Sequence, residues 1–117
     1  MFGVNGSMLD NPSYLEGLLR DGIADAGATV CSVQVKQFKP SGVTILALLA
    51  ESHASIHTYP DNGALFFDAF TCGDRCQPRA IAQALIKGLA PQKHALQTLR
   101  RGQDQPQRPL HQPEISA

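Results

Sequence analysis

The chain has 117 residues, with 10 basic and 10 acidic side chains, so its formal net charge at pH 7 is zero. This length suits one domain with a buried core, and a neutral chain lacks the basic surface of a general nucleic-acid binder. The longest apolar run, residues 43–50, is too short to cross a bilayer. The amino-terminal residues carry neither a basic segment nor a long apolar one, so we expect no signal peptide, no membrane partner and no nucleic-acid partner.

The three cysteines, Cys31, Cys72 and Cys76, are an odd number, unlike the cysteines of a secreted disulfide scaffold. Free thiols in a reducing compartment are the simpler interpretation, and we expect a cytoplasmic protein. Only 17% of the residues are charged, against about 25% in typical soluble domains. This low fraction is consistent with an oligomer that covers part of the surface.

The first predicted element is an amphipathic helix over residues 12–26. Asn11 followed by Pro12 is a typical helix start, and Gly27 is a typical residue just past a helix end. Apolar side chains recur between them at helical spacing, at Leu15, Leu18, Leu19 and Ile23.

Four strands are predicted next, over residues 29–36, 43–50, 52–59 and 64–71. Polar and apolar side chains alternate in the first and third, whereas the second is a continuous apolar run typical of a buried strand. Turn residues separate the strands at 40–42 and at 60–63, where Asn62-Gly63 tolerates positive φ.

A second helix is predicted from Gln77-Pro78 to the residue before Pro91. A last short strand is predicted over residues 94–99, followed by a disordered tail over 103–117 that is rich in Gln and Pro. Strands joined by tight turns pair antiparallel. The predicted fold is therefore an α+β two-layer sandwich, in which two helices cover one face of an antiparallel sheet.

The polar face of the third strand carries the candidate chemistry, because alternate side chains of a strand point the same way. One interpretation is a zinc site formed by His53, His57, Cys72 and Cys76, although Cys-x3-Cys is not a common zinc spacing. A second is nucleophilic catalysis by Ser52 or Cys72, with His57 as base and Asp68 as its orienting partner. A third is that these are ordinary surface or hydrogen-bonded side chains, and residue by residue this third interpretation is favoured.

Several motifs, taken together, resemble the prokaryotic S-adenosylmethionine decarboxylase proenzyme family. Glu51-Ser52-His53 is followed by Ile56-His57-Thr58-Tyr59-Pro60 and then by Phe70-Thr71-Cys72-Gly73. The upstream Phe38, Pro40, Gly42-Val43 and Leu9-Asp10-Asn11 also match. The similarity extends over residues 1–102, which we take as one decarboxylase-like domain.

The resemblance implies that the chain cleaves itself between Glu51 and Ser52. The Ser52 hydroxyl would attack the preceding carbonyl to give an ester, and elimination followed by hydrolysis would leave a pyruvoyl group on a chain of residues 52–117. This self-generated cofactor would form a Schiff base with the amine of S-adenosylmethionine and accept electrons as CO₂ is lost. No metal ion is implied.

Roles for individual residues also follow from the resemblance. His57 would remove the α-proton during the ester elimination, and Thr44 would support this processing. Cys72 would return a proton to the substrate carbon after decarboxylation.

The resemblance also implies a binding site for the substrate. Phe38 and Tyr59 would stack on the adenine ring, with Tyr59 at a position where tryptophan is commoner. Asp61 would contact the ribose. The product would be the aminopropyl donor for spermidine synthesis.

Small family members pair as dimers with active sites at the interface, so we expect a homodimer of cleaved protomers. Family members usually begin earlier, with a strand that carries a Gly-x-His segment, so this chain is expected to lack that strand. Val35-Lys36 also stands where Phe-His is common. The alternatives are a related pyruvoyl decarboxylase for arginine or ornithine, and an inactive homologue that regulates a partner decarboxylase.

Overall fold

The computed structural model describes residues 1–50, 52–71 and 77–99. Glu51, Cys72 and Cys76, together with the tail predicted over 103–117, lie outside the described residues. Within the described ranges, a four-stranded antiparallel sheet in the order β1-β2-β3-β4 has two long helices packed on one face. The predicted α+β two-layer sandwich is therefore confirmed. In these ranges no helix combines the length and the apolar character that a membrane span requires.

The elements follow one another along the chain without crossovers in the sheet. In order they are α1 (Gly6–Leu9), α2 (Pro12–Asp25), β1 (Val30–Gln37), β2 (Val43–Leu49), β3 (Ser52–Tyr59), β4 (Ala64–Phe70) and α3 (Pro78–Leu89). A 3-10 turn at Pro60–Asn62 joins β3 to β4.

Local sequence accounts for where these elements begin and end. The Asn11 side chain accepts a hydrogen bond from the backbone N–H of Tyr14 at 3.1 Å, and Pro12 occupies the first turn of α2. Gly63 ends the 3-10 turn with φ at +62°, a left-handed conformation that favours glycine. The Asn62-Gly63 signal therefore predicts the position of the turn between β3 and β4 correctly, and the turn has 3-10 geometry.

The core lies between the helices and one face of the sheet. Alternate residues of β2 and β3 are buried against it, among them Ile45, Ala47 and Ile56. From the helices, Leu15, Leu19, Ile81 and Leu85 are fully buried. The opposite face of the sheet, made by the intervening residues, has no described element packed on it and is called the open face below.

Two short features differ from the sequence-based prediction. Residues 94–99 were predicted to form a strand, and this is wrong: they carry no strand assignment, and Lys93 makes one isolated bridge with Phe2. Their apolar signal comes from Leu96, which packs against the core from an otherwise exposed segment. The four-residue helix α1, capped by the Asn5 side chain, was not predicted because it is too short for periodicity to reveal.

Candidate active site

The side chains of the open face form rows that run across all four strands, because the pairing of β1 with β2 is regular from Ser32 to Gln37 and continues through both ladders of β3. The irregularity between Val30 and Ser32 lies outside these rows. The three rows are Lys36–Thr44–His57–Phe66, then Gln34–Leu46–Ser55–Asp68, then Ser32–Leu48–His53–Phe70. The sheet itself, rather than a loop, therefore sets the spacing of the candidate functional side chains.

Thr44 and His57 are direct partners in the first row. The Thr44 Oγ1 atom lies 3.0 Å from Nδ1 of His57. A threonine hydroxyl can donate to a neutral ring nitrogen or accept from a protonated one, so this contact orients the imidazole in either tautomer. The other ring nitrogen, Nε2, is left to act on a reacting group.

A groove of about 520 Å³ lies beside this pair. Its walls include Phe38, Tyr59 and Asp61, and both aromatic rings are about half exposed. Thr44 and His57 line the same groove. The structure thus brings together all three predicted substrate-binding residues and both predicted processing residues on β2 and β3.

Buried polar contacts hold the walls of the groove in place. The Gly42 N–H donates to the Asp10 carboxylate at 3.0 Å, which fixes the loop between β1 and β2. The Thr58 hydroxyl donates to the carbonyl of Leu9 at 2.8 Å and accepts from the Val43 N–H at 2.9 Å. Sequence reasoning gave no role to Asp10 or Thr58, because these partners lie 32 and 49 residues apart along the chain.

Ser52 lies at the opposite end of β3 from His57. It is the first residue of β3, and its hydroxyl donates to the carbonyl of Ala50 at 3.3 Å. Five residues of strand, about 16 Å, separate it from His57, and strand alternation points the two side chains to opposite faces. Within one chain, therefore, Ser52 and His57 are not brought together.

Asp68 lies beside His53 rather than His57. The Asp68 Oδ2 atom is 3.6 Å from Nε2 of His53, and the His53 ring lies 6.0 Å from that of Phe70. The combination of Ser52, His57 and Asp68 considered for nucleophilic catalysis is therefore not assembled.

The zinc interpretation can be examined only for its two histidines. His53 and His57 lie four strand residues, about 13 Å, apart. In the part of the chain that the structure describes, no group of three or more His, Cys, Asp or Glu side chains could hold a metal ion. Cys72 and Cys76 lie outside that part.

The comparisons with known proteins agree with one another. The family model described as S-adenosylmethionine decarboxylase matches residues 1–102. The S-adenosylmethionine decarboxylase proenzyme of Brevibacillus brevis is 42% identical over 101 residues, which cover 86% of this chain and 76% of that protein. The proenzyme of Prochlorococcus marinus is 42% identical over 97 residues, which cover 83% and 80%.

A solved structure is also similar. The crystal structure of the adenosylmethionine decarboxylase from Aquifex aeolicus VF5 superposes with a TM-score of 0.73 at 30% sequence identity. The match covers 90% of this chain and 91% of that one.

Proposed function

The chain belongs to the S-adenosylmethionine decarboxylase family, and we propose that it is a self-processing, pyruvoyl-dependent enzyme that converts S-adenosylmethionine to decarboxylated S-adenosylmethionine. The observation that carries this proposal is the groove that unites Phe38, Tyr59 and Asp61 beside the Thr44–His57 pair. These are the side chains that stacking on a nucleoside and moving a proton require.

Cleavage would begin at Ser52, whose hydroxyl already faces the connection to be cut. Attack of Oγ on the carbonyl carbon of Glu51 forms an ester bond as the peptide C–N bond breaks. Loss of the Ser52 α-proton then expels the carboxylate of residue 51, and hydrolysis of the resulting dehydroalanine releases ammonia. Serine suits this sequence because its oxygen serves first as nucleophile and then as leaving group.

The pyruvoyl group, once formed, supplies a carbonyl that accepts electrons as CO₂ departs. The position of Ser52 fits such a group, since cleavage would place it at the start of β3, at one end of the sheet. Cys72 is proposed to return the proton to the substrate carbon. That role requires a free thiol, which a reducing cytoplasm maintains, and we place the enzyme there.

The separation of Ser52 from His57 has a direct consequence for assembly. Because about 16 Å of strand lies between them, His57 could remove the α-proton of Ser52 only in a second copy of the chain. A twofold axis that packs two open faces together brings the Ser52 end of one β3 near the His57 end of the other. The active enzyme is therefore a homodimer of cleaved protomers with two shared active sites.

The composition of the open face supports this pairing. Leu46 and Leu48, at its centre, are 48% and 57% exposed, and Phe66 is also exposed. An apolar patch of this kind is typical of a surface that another molecule covers. Ser55, in the same region, is a buried polar residue that is 9% exposed.

The groove also distinguishes between candidate substrates. Its volume is within the range of about 300–1,000 Å³ usual for small-ligand sites. Phe38 and Tyr59 offer two exposed aromatic faces. S-adenosylmethionine has an adenine ring to place against them, whereas arginine and ornithine have none. The groove therefore favours the nucleoside substrate, and its product is the aminopropyl donor for spermidine synthesis.

Complementation between two inactive variants tests this proposal. Ser52→Ala and His57→Ala chains, expressed separately, should each remain uncut by intact-mass analysis. When they are co-expressed with different tags, the His57→Ala chain should be cleaved before Ser52, because it contributes the serine and its partner contributes the histidine. The Ser52→Ala chain should stay intact.

The wild-type protein provides the reference. It should show two fragments divided between residues 51 and 52 and should release CO₂ from S-adenosylmethionine, but not from arginine or ornithine assayed in parallel. A single uncut wild-type chain would contradict self-processing and would favour an inactive regulatory homologue. Efficient cleavage of the His57→Ala chain on its own would contradict the shared site.

A further inference from the structure

His53 and Asp68 are polar side chains near the proposed cleavage point that the chemistry above does not use. Their Nε2 and Oδ2 atoms lie 3.6 Å apart, and the side chains are 48% and 45% exposed. The His53 ring also lies 6.0 Å from the Phe70 ring, with an angle of 30° between the planes. His53 therefore lies against β4 at two positions, Asp68 and Phe70.

The register of the sheet makes His53 a special position. Ser52 pairs with Leu49 of β2, and the ladder between β3 and β4 begins one residue later, at His53 and Phe70. Before cleavage, the short connection from β2 restrains Ser52 from its amino side. After cleavage that restraint is gone, and His53 is the first residue that strands on both sides hold.

We propose that His53 and Asp68 form a positioning pair, which holds the new amino end of the large fragment against β4 once cleavage has occurred. The pair rests on the proposed function, since only cleavage creates this end. The group formed at residue 52 is attached directly to the backbone nitrogen of His53. Its position therefore depends on how firmly His53 is held.

β4, the strand that pairs with His53, is followed in the sequence by the proposed proton donor, Cys72. Asp68 precedes Cys72 by four residues, so the pair joins the two segments that must meet in the reaction. Misplacement of reacting groups by about 1 Å can lower a rate by about 100-fold. Loss of the pair should therefore lower the rate of decarboxylation through poorer positioning.

The test compares Asp68→Asn and His53→Asn with a matched control, Glu16→Gln. The control breaks an exposed ion pair elsewhere in the chain, in which Glu16 Oε2 lies 2.8 Å from Arg20 Nε on α2. For each protein, cleavage is followed by intact mass, and kcat and KM are measured with S-adenosylmethionine. Hydrogen exchange of the fragment that begins at residue 52 reports how firmly its amino end is held.

Both site variants should cleave to completion and keep KM within about twofold, while kcat falls about tenfold, as expected for imperfect positioning. Amide exchange near His53 should become faster. Asp68→Glu, which keeps the carboxylate, should retain most of the wild-type kcat. Glu16→Gln should match the wild type in every measurement.

Wild-type kcat and wild-type exchange in both site variants would overturn the positioning pair. So would failure of both variants to cleave, because the pair would then act before the new end exists. Neither result would affect the proposed function while the wild-type protein cleaves and decarboxylates. An inactive, uncut wild type would instead contradict the proposed function itself.

Discussion

Oγ1 of Thr44 lies 3.0 Å from Nδ1 of His57, and the two residues are directly paired across the ladder between β2 and β3. The orientation of the imidazole is therefore set by strand register, which is among the most rigid features of a sheet. A histidine held by one nitrogen presents the other in a fixed direction, as a proton-transfer role requires.

Thr44→Val should slow self-cleavage, because valine keeps the shape of the side chain and removes the hydroxyl that orients His57. We expect a reduction of about tenfold, a part of the 100-fold or more that general acid–base catalysis contributes. Thr44→Ser, which keeps the hydroxyl, should cleave at close to the wild-type rate. A cleavage time course by mass spectrometry measures the difference, and equal rates for the two variants would show that the contact has no role.

Tyr59→Ala should raise KM for S-adenosylmethionine about fivefold with a smaller effect on kcat, because a stacking contact contributes about 1 kcal/mol. Tyr59→Trp and Tyr59→Phe keep an aromatic face and should keep KM close to the wild-type value. Steady-state kinetics on fully cleaved protein separates these variants. An unchanged KM in the alanine variant would place the adenine elsewhere.

Cys72→Ala should impair turnover, because the proposed proton donor to the substrate carbon is lost. Since general acid catalysis contributes about 100-fold or more, kcat should fall by at least that factor. Cys31→Ala is a matched control, since Cys31 is an exposed thiol on β1, away from the groove. Normal turnover by cleaved Cys72→Ala protein would refute the assignment.

Leu48→Glu should convert the protein to monomers, because it places a charge in the apolar centre of the open face. Val35→Glu is the control, as Val35 is similarly apolar and 38% exposed but lies on the other side of the sheet. Sedimentation velocity should show a dimer for the wild type and for the control. A dimeric Leu48→Glu protein would exclude the open face as the interface.

Alanine substitutions at two glycines of α2 should have opposite effects on the free energy of unfolding. A Cβ at Gly22 would lie 3.0 Å from Cβ of Ala84 and 3.1 Å from Cα of Ile81, so Gly22→Ala forces α2 and α3 apart. We expect a net loss of about 1–2 kcal/mol in the free energy of unfolding, after the gain in helix propensity. A Cβ at Gly17 would have no described atom within 4 Å beyond its own helix backbone and its chain neighbours. Gly17→Ala should therefore stabilise the protein by about 0.5–1 kcal/mol.

Chemical denaturation of the Ser52→Ala background, which should remain a single chain, measures both glycine effects without interference from cleavage. Equal shifts of the denaturation midpoint in the two variants would contradict the close approach of the helices at Gly22.

Much of the fold could be predicted because its elements are long and strongly patterned. Even the pairing of Thr44 with His57 follows from the sequence, once the connection between residues 49 and 52 is taken as a tight turn: counting back from Leu49 and Ser52 reaches that pair. The contacts of Asp10 and Thr58 could not be predicted in this way. They depend on where α1 and its neighbouring loop pack, which no local pattern encodes.

The separation between Ser52 and His57 could also be predicted from strand length and side-chain alternation alone. The groove could not be predicted, because its walls come from β2, β3, the loop between β1 and β2 and the turn after β3. The strand predicted over residues 94–99 is absent because the apolar pattern there comes from one residue, Leu96, which packs against the core.

The proposed cut falls in the two-residue connection between Leu49 and Ser52, which are paired neighbours in the sheet. Severing such a connection leaves both fragments in one folded body, joined by the ladder between β2 and β3. It also makes refolding of the mature protein bimolecular, because the connection no longer keeps the fragments at high effective concentration. Recovery from denaturant should therefore depend on protein dilution in the cleaved form far more than in the uncut precursor. If the proposed cleavage occurs, the mature protein needs its two fragments to associate before it can refold, whereas the precursor refolds as a single chain.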